Sequence, residues 1–280
     1  MQRLCELLEV SRSGFYAWQS RRPSRRLVRD MAITEAIRAC HQQSHGAYGS
    51  PRIHRELRRR YGVYCSRKRV ARLMRQAGLR GAHPSKGPAG TTHRNPKRPL
   101  QPDLVRRNFH PVAPNRLWVA DITQHPTDEG WLYLATVLDA FSRRLIGWAM
   151  GEHIRTELVV DAVNMAVRNR QPDQGLIHHS DHGSQYTSIA FTNKLEESGI
   201  TGSMGTIGDA LDNAMAESFN ATLQTELLDT QRWRTRAQLK SAIFQYIEIF
   251  YNRRRLHSAL GYLSPADFER AYDARQADAG

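Results

Sequence analysis

The sequence predicts an α/β protein: a mixed sheet flanked by helices, preceded by small all-helical segments. Three observations carry this expectation. Basic charge is concentrated at the front, where residues 1–110 hold 25 Lys and Arg against 6 Asp and Glu, a net of +19. The remaining residues hold 16 against 21, a net of −5. After residue 110 the texture changes from helical apolar spacing to strand-like runs, first three in succession and then alternating with helices. That order is the pattern of a mixed sheet covered by helices.

Composition narrows the class further. A net charge of +14 over 280 residues points to a polyanionic partner, with nucleic acid foremost. With 40% hydrophobic and 24% charged residues the chain reads as folded rather than disordered. No apolar run approaches the length of a membrane span, and the start Met1-Gln2-Arg3-Leu4-Cys5-Glu6 lacks a signal peptide's apolar stretch. Cys5, Cys40 and Cys65 are odd in number and scattered. They exclude a disulfide framework and a cysteine zinc site, and fit a reducing cytoplasm.

The elements follow in order. Residues 1–20 read as two short helices. Leu4, Leu7 and Leu8 supply an apolar stripe, and Ser11 caps the second helix. The pair suits a helix-turn-helix or part of one. Residues 28–42 read as a further helix, with Met31, Ile33, Ile37 and Ala39 apolar. Ser50-Pro51 then signals a new start, with Ser50 as N-cap, and Gly62 a left-handed stop. A helix from Ser66 to Gly78 completes the pair. Ile53 and Leu57 are expected to face Val70, Leu73 and Met74. The other faces carry Arg55, Arg58, Arg59, Arg60, Arg67, Lys68, Arg69, Arg72 and Arg75, which with Arg52 suit phosphate contact or groove insertion. Residues 81–107 read as a basic linker whose Lys86, Arg94, Lys97, Arg98, Arg106 and Arg107 track a DNA backbone.

Strands are expected over 117–123, 131–139 and 144–150 as an antiparallel meander, then over 175–181 and 200–204. Helices are expected over 156–169, 188–198, 214–228 and 236–256. Trp233, Tyr246, Phe250 and Tyr251 read as core residues, and Arg253, Arg254 and Arg255 as a second DNA contact. His178, His179 and His182 read as neutral polar residues around a strand end rather than as metal ligands. The boundaries that result are 1–42 for the N-terminal segment, 43–80 for the helix-turn-helix-like domain, 81–107 for the linker, 108–272 for the sheet-bearing domain and 273–280 for a tail.

Position singles out three carboxylates among many. Asp121 interrupts an apolar strand, where a carboxylate is costly unless paired, hydrogen-bonded or on a metal. Asp181 ends the fourth strand, where such sheets open into a ligand crevice. Glu217 lies near a helix start and shares a polar face with Asn213, Asn220 and Gln224, while Met215, Phe219, Leu223 and Leu227 face the core. Three oxygen ligands suit Mg²⁺ or Mn²⁺, and two such ions suit phosphodiester chemistry. On pattern alone, loop caps and a solvated Glu217 remain the alternative.

Several segments resemble insertion-sequence transposases of the IS-three family, second reading frame. Trp118-Val119-Ala120-Asp121-Ile122-Thr123 resembles the segment with the first catalytic Asp. Leu138-Asp139-Ala140-Phe141-Ser142-Arg143-Arg144 resembles the stretch after the second strand. His179-Ser180-Asp181-His182-Gly183-Ser184-Gln185-Tyr186-Thr187-Ser188 resembles the second Asp motif, and Asp212-Asn213-Ala214-Met215-Ala216-Glu217-Ser218 the Glu motif. The last two carboxylates have 35 residues between them, the family's spacing. Tyr48-Gly49-Ser50-Pro51-Arg52-Ile53 resembles the upstream helix-turn-helix-like domain, and the run from Phe250 to Tyr262 the C-terminal helix and tail.

The resemblance implies an integrase-type, RNase H-like catalytic domain with Asp121, Asp181 and Glu217 as ligands of two Mg²⁺ or Mn²⁺ ions. It implies 3′ end cleavage and strand transfer of an element on double-stranded DNA. It also implies a homo-oligomer on that DNA, a first-reading-frame protein or frameshift fusion as partner, and residence in the bacterial cytoplasm with the nucleoid. One position departs from the family. Seven residues after the Glu, where a Lys or Arg grips the element end, stands Gln224. A DNA-binding or regulatory relic without catalysis is therefore the competing reading, and a nuclease without end preference a third.

Overall fold

The computed structural model describes residues 1–83, 102–105, 108–181, 183–205 and 214–279. Two compact units divide it, Met1–Gly81 and Ala82–Gly280. The basic linker side chains Lys86, Arg94, Lys97, Arg98, Arg106 and Arg107 and the motif residues His182, Asp212 and Asn213 lie outside the described residues.

The first unit is helical: α1 (Gln2–Leu7), α2 (Arg12–Gln19), α3 (Arg25–Gln43), α4 (Ser50–Tyr61) and α5 (Arg67–Gln76). Serine hydroxyls cap three of these helices, with Ser11, Ser24 and Ser66 each accepting a backbone N–H from the first turn. Ser24 moves the start of α3 three residues ahead of the expected one. At α4 the expected Ser50 cap is corrected: Gly49 is the N-cap and Ser50 the first helical residue, with Pro51 still in the first turn. Gly62 stops α4 at φ 61°, in the left-handed region open to glycine. Ile53 and Leu57 of α4 and Val70, Leu73 and Met74 of α5 are buried together with Ile33 and Ile37 of α3. The stripe on α1 departs from its expectation, since Leu4, Leu7 and Leu8 are exposed within this unit.

The second unit holds one five-stranded sheet in the order β3-β2-β1-β4-β5. The strands are β1 (Leu117–Thr127), β2 (Gly130–Asp139), β3 (Leu145–Gly151), β4 (Ile177–Ser180) and β5 (Thr201–Met204). β1, β2 and β3 form the antiparallel meander, while β4 and β5 run parallel to β1. The central strand β1 therefore joins the antiparallel half to the parallel half. Helices α6 (Thr156–Arg170), α7 (Ile189–Glu197), α8 (Ala214–Glu226), α9 (Arg236–Gln245) and α10 (Pro265–Ala277) complete it. This is the expected mixed sheet flanked by helices.

The core lies under α6 and α7. Trp118, Ala120, Val137 and Ile146 of the sheet pack with Leu158, Val159, Ala162, Val163 and Ala166 of α6 and Phe191 and Leu195 of α7. Burial of apolar surface on this scale is the main favourable contribution to folding. Gly147 lets α6 approach β3 closely, because a Cβ there would stand 2.2 Å from the carbonyl oxygen of Ala162.

Three expectations are corrected. The long helix over 236–256 is α9 followed by a π-turn at Tyr246–Tyr251, with Asn252 to Arg254 in an ordinary turn. The tail is not a tail up to residue 277. Ser264 caps α10 by accepting from the Asp267 N–H, and Pro265 opens it. Residues 102–105, expected in the linker, sit on the sheet edge: Leu104 N–H donates to Ser203 Oγ at 3.0 Å and Val105 is buried.

Candidate active site

Asp121 sits in the middle of β1, opposite Thr136 of β2. Both of its carboxylate oxygens accept hydrogen bonds, Oδ1 from the Ile122 N–H at 2.9 Å and Oδ2 from Asn220 Nδ2 at 2.7 Å. The second bond fastens α8 to the central strand. It uses the polar face that Asn220 shares with Glu217, three residues apart on the helix. Phe219 and Leu223 of the opposite face are buried, as that helix reading expects.

Asp181 directly follows β4, and β4 lies beside β1. Its Oδ1 accepts from the Gly183 N–H at 3.0 Å, which folds the chain back under the carboxylate. Glu217 is exposed on the first turn of α8. The electrostatics tie the three together. Burial pushes the Asp121 carboxyl up to about 7, and the negative charges of Asp181 and Glu217 push the same way. The hydrogen bonds from Ile122 and Asn220 oppose that shift without cancelling it.

The donor chemistry fits a hard divalent cation. It offers carboxylate oxygens only, and their mutual repulsion is relieved by positive charge. The three side chains are not drawn in to ligation distance: among the described residues no set of three His, Cys, Asp or Glu is gathered as a metal site.

Below Asp181 lies a buried aromatic floor. Tyr186 packs edge-on against Phe191, at 5.4 Å between ring centroids, and His178 packs edge-on against the same Phe191 at 5.3 Å. The Tyr186 hydroxyl is buried with no hydrogen-bond partner among the described residues. Burial, then Asp121 and Asp181, raise its pKa well above the ordinary tyrosine value. Burial lowers His178 to about 3, so it is neutral. His179 Nδ1 meets Ser203 Oγ at 3.0 Å. Both described histidines are therefore interior residues.

The expected DNA contacts divide. Arg67, Lys68 and Arg55 are exposed, and Arg52 lies over the Tyr48 ring at 5.7 Å. Arg69 and Arg72 differ from expectation. Both are half-buried and fork onto the Asp30 carboxylate of α3, Arg69 Nη2 at 2.6 Å and Arg72 Nη2 at 2.8 Å. Their hydrogen bonds hold Asp30 below the usual carboxylate range. Asp30, an acid in an otherwise basic stretch, was the signal for this pairing. Arg253 and Arg254 are exposed. Arg255 is corrected: it is buried, 4% exposed, and paired with Glu226, so it does not reach a DNA backbone. Gln224 is exposed and donates to Asp229. The sequence reading missed the role of Asn220 as the anchor of Asp121, although its place on the Glu217 face was the available sign.

The integrase core domain model matches residues 111–210 and a second integrase core domain model matches 198–265, while an HTH-like domain model matches 28–87. The chain is thus an integrase-core protein with a helix-turn-helix-like domain ahead of the core. Its relatives are close. A 31 kDa protein of insertion element IS600 from Shigella sonnei is 42% identical over 269 residues, covering 96% of this chain and 98% of that one. The IS904 transposase of Lactococcus lactis is 40% identical, covering 89% of this chain and 98% of the relative. InsF, the transposase of IS3A in Escherichia coli K12, is 38% identical, covering 95% and 92%. The chain belongs to the IS-three family of insertion-sequence transposases. Among solved structures, the HTLV-2 integrase catalytic core in complex with magnesium aligns at a TM-score of 0.42 and 16% identity, covering 56% of this chain and 98% of that one. The simian T-cell lymphotropic virus intasome aligns at 0.47 and 13%, covering 83% and 74%. Among the described residues no helix is long and apolar enough to cross a membrane.

Proposed function

We propose that this transposase cleaves the 3′ ends of its insertion sequence and transfers the strands, with Asp121, Asp181 and Glu217 as the catalytic carboxylates. The observation that carries the reading is the 2.7 Å bond from Asn220 to Asp121, which sets the Glu217 helix against the strand bearing Asp121. In this reading the three carboxylates hold two Mg²⁺ or Mn²⁺ ions. Those ions supply, when bound, the positive charge that offsets charge developing on the scissile phosphate. Asn220 and the Ile122 N–H keep the Asp121 oxygens oriented. Water opens the phosphodiester at the element's 3′ end, and the freed 3′-OH then attacks the other end or a target phosphodiester, displacing a new 3′-OH. No bond between protein and DNA forms.

Arg52, Arg55, Arg67 and Lys68 grip the duplex through phosphates in this reading, with Arg253 and Arg254 as a second contact. The working form is a homo-oligomer on DNA, with the first-reading-frame protein or a frameshift fusion as partner, in the bacterial cytoplasm at the nucleoid. A second reading, a DNA-binding relic without catalysis, is favoured by Gln224 in place of a cation.

The test is incubation of the purified protein with element-end duplex and Mg²⁺ or Mn²⁺, beside Asp181→Ala. Metal-dependent 3′ nicks in the wild type and none in the variant are expected. Intact binding without any 3′-specific cleavage overturns the catalytic reading in favour of the relic.

A further inference from the structure

We infer that Arg255 and Glu226 are positioning residues for Glu217, acting by fixing the rotation of α8. The inference rests on the reading of Glu217 as a metal ligand. Glu226 is nine residues beyond Glu217, which at about 100° per residue turns it to the opposite side of the helix. Asn220 stays within about 60° of Glu217. The helix is therefore held on two sides: by Asn220 on Asp121, and by Glu226 on the segment that follows the π-turn.

The second hold is built in detail. Arg255 donates from Nε to Glu226 Oε2 and from Nη2 to Oε1, each at 2.7 Å, a fork on both oxygens. Tyr246 Oη donates to the same Oε2 at 2.9 Å. The Arg255 guanidinium lies 5.8 Å from the Tyr251 ring centre, and that ring packs edge-on against Phe219 of α8 at 4.9 Å. His257 flanks the guanidinium, with its ring nitrogens at 3.4 Å from Nη1. The base of the clamp is tied to the far edge of the sheet. Asn252 donates to the Leu145 carbonyl and accepts from the Leu145 N–H, both at 2.9 Å.

A buried ion pair is often neutral for stability against apolar residues of similar volume. A planar two-point fork, however, fixes orientation in a way that apolar packing does not. Glu217 stands on the first turn of α8, exposed and without a hydrogen bond of its own among those described, so its direction is inherited from the helix.

The test uses the full chain and three variants: the double variant Arg255→Met with Glu226→Leu, the single variant Arg255→Lys, and Glu217→Gln. Mn²⁺ affinity is read by calorimetric titration, α8 amide exchange by mass spectrometry, and 3′ cleavage of an element-end duplex as a function of Mn²⁺. The double variant is expected to melt cooperatively, bind Mn²⁺ about tenfold more weakly and exchange α8 amides faster. Its cleavage is expected to recover in part at high Mn²⁺, which a misfolded chain would not do. Arg255→Lys is expected in between. Wild-type Mn²⁺ affinity in a cooperatively melting double variant overturns the inference, provided Glu217→Gln is weakened. If the double variant does not melt cooperatively, the same criterion is applied to Arg255→Lys. Wild-type affinity in Glu217→Gln removes the metal-ligand reading, and this inference with it.

Discussion

Two carboxylate clusters flank the central strand of the same domain, and they are treated in opposite ways. At the end where β1 begins, Asp139 and Glu269 are matched by arginines. Arg170 bonds both, Arg144 Nη1 reaches Glu269 Oε2 at 2.6 Å, and Ser142 Oγ donates to Glu269 Oε1 at 2.7 Å. Although burial acts to raise it, Glu269 is held below its ordinary value by Arg170, Ser142 and Arg144; burial raises Asp139, and the Asn115 N–H and Arg170 oppose it. Around Asp121 the strongest influences are burial and two further carboxylates, and the pKa goes up. The first cluster is complete and serves architecture, joining α10 and α6 to the end of β2. The second is short of positive charge in a fold that supplies arginine freely elsewhere. The contrast teaches that the shortage belongs to the site rather than to the composition.

Breaking each cluster should therefore give opposite phenotypes. The largest effect is expected at the unmatched one: Asp121→Asn should lower 3′ cleavage at least about a thousandfold, the scale seen on removing one member of a catalytic set. DNA binding should be retained and the variant should still melt cooperatively, giving up one of the two hydrogen bonds because an amide offers one acceptor oxygen. A gel cleavage assay beside a thermal melt checks both, and retained cleavage would sink the role of Asp121. Next, Arg170→Met removes the arginine that Glu269 and Asp139 share, leaving Glu269 with Arg144 and Ser142 and Asp139 with backbone N–H groups, and should cost about 3 kcal/mol of stability, as breaking a buried pair does. Urea denaturation measures it. Cleavage per folded molecule should be unchanged.

The third expectation sharpens the comparison through pH. Asp121 has a folded pKa of about 7 against an ordinary 3.8, so the folded protein holds that proton more tightly. Its contribution to stability is present at low pH and is lost as pH rises from about 4 through about 7. Glu269 has the reverse sign, since its folded pKa is lowered from 4.5; its contribution is present above 4.5 and is lost on acidification. The stability difference between wild type and Asp121→Asn, followed in metal-free buffer from pH 5 to 8, should thus favour the variant increasingly as pH rises. A flat difference would contradict the raised pKa that burial and the neighbouring carboxylates give Asp121. Smallest, Arg67→Ala and Lys68→Ala should each reduce the salt slope of DNA binding by about 1, whereas Arg69→Ala should leave it nearly unchanged, because that charge is committed to Asp30. Equal slopes for all three would undo the division of the basic face.

The strand and helix order was legible because burial leaves a period behind. Trp118 to Ile122 and Leu132 to Leu138 read as strands, and α6 declared itself through Leu158, Val159, Ala162 and Val163. The carboxylates were legible because Asp121 is anomalous in its strand. What escaped were pairings across long stretches of chain. Arg69 with Asp30, and Arg255 with Glu226, look like any basic run beside an isolated acid until folding brings them together. α10 escaped for a different reason: Ser264-Pro265 repeats the start signal of Ser50-Pro51, but its charged surface shows little apolar period. Burial of polar partners has no period, so sequence reasoning assigned those arginines to the solvent.

The π-turn at Tyr246–Tyr251 adds a matter of counting. A π-turn spends one more residue per turn than an α-turn, so everything after it is rotated by about 100° from the path an α-helix would have taken. Asn252 and Arg255 find their partners only after that offset. Removing a single residue between Tyr246 and Tyr251 would leave composition, charge and every named motif almost intact, yet would swing both side chains away from the sheet and from α8. In this stretch the chain is more sensitive to length than to identity, and a copy of the gene with one codon missing there is expected to lose the clamp on α8 with Asp121, Asp181 and Glu217 all in place.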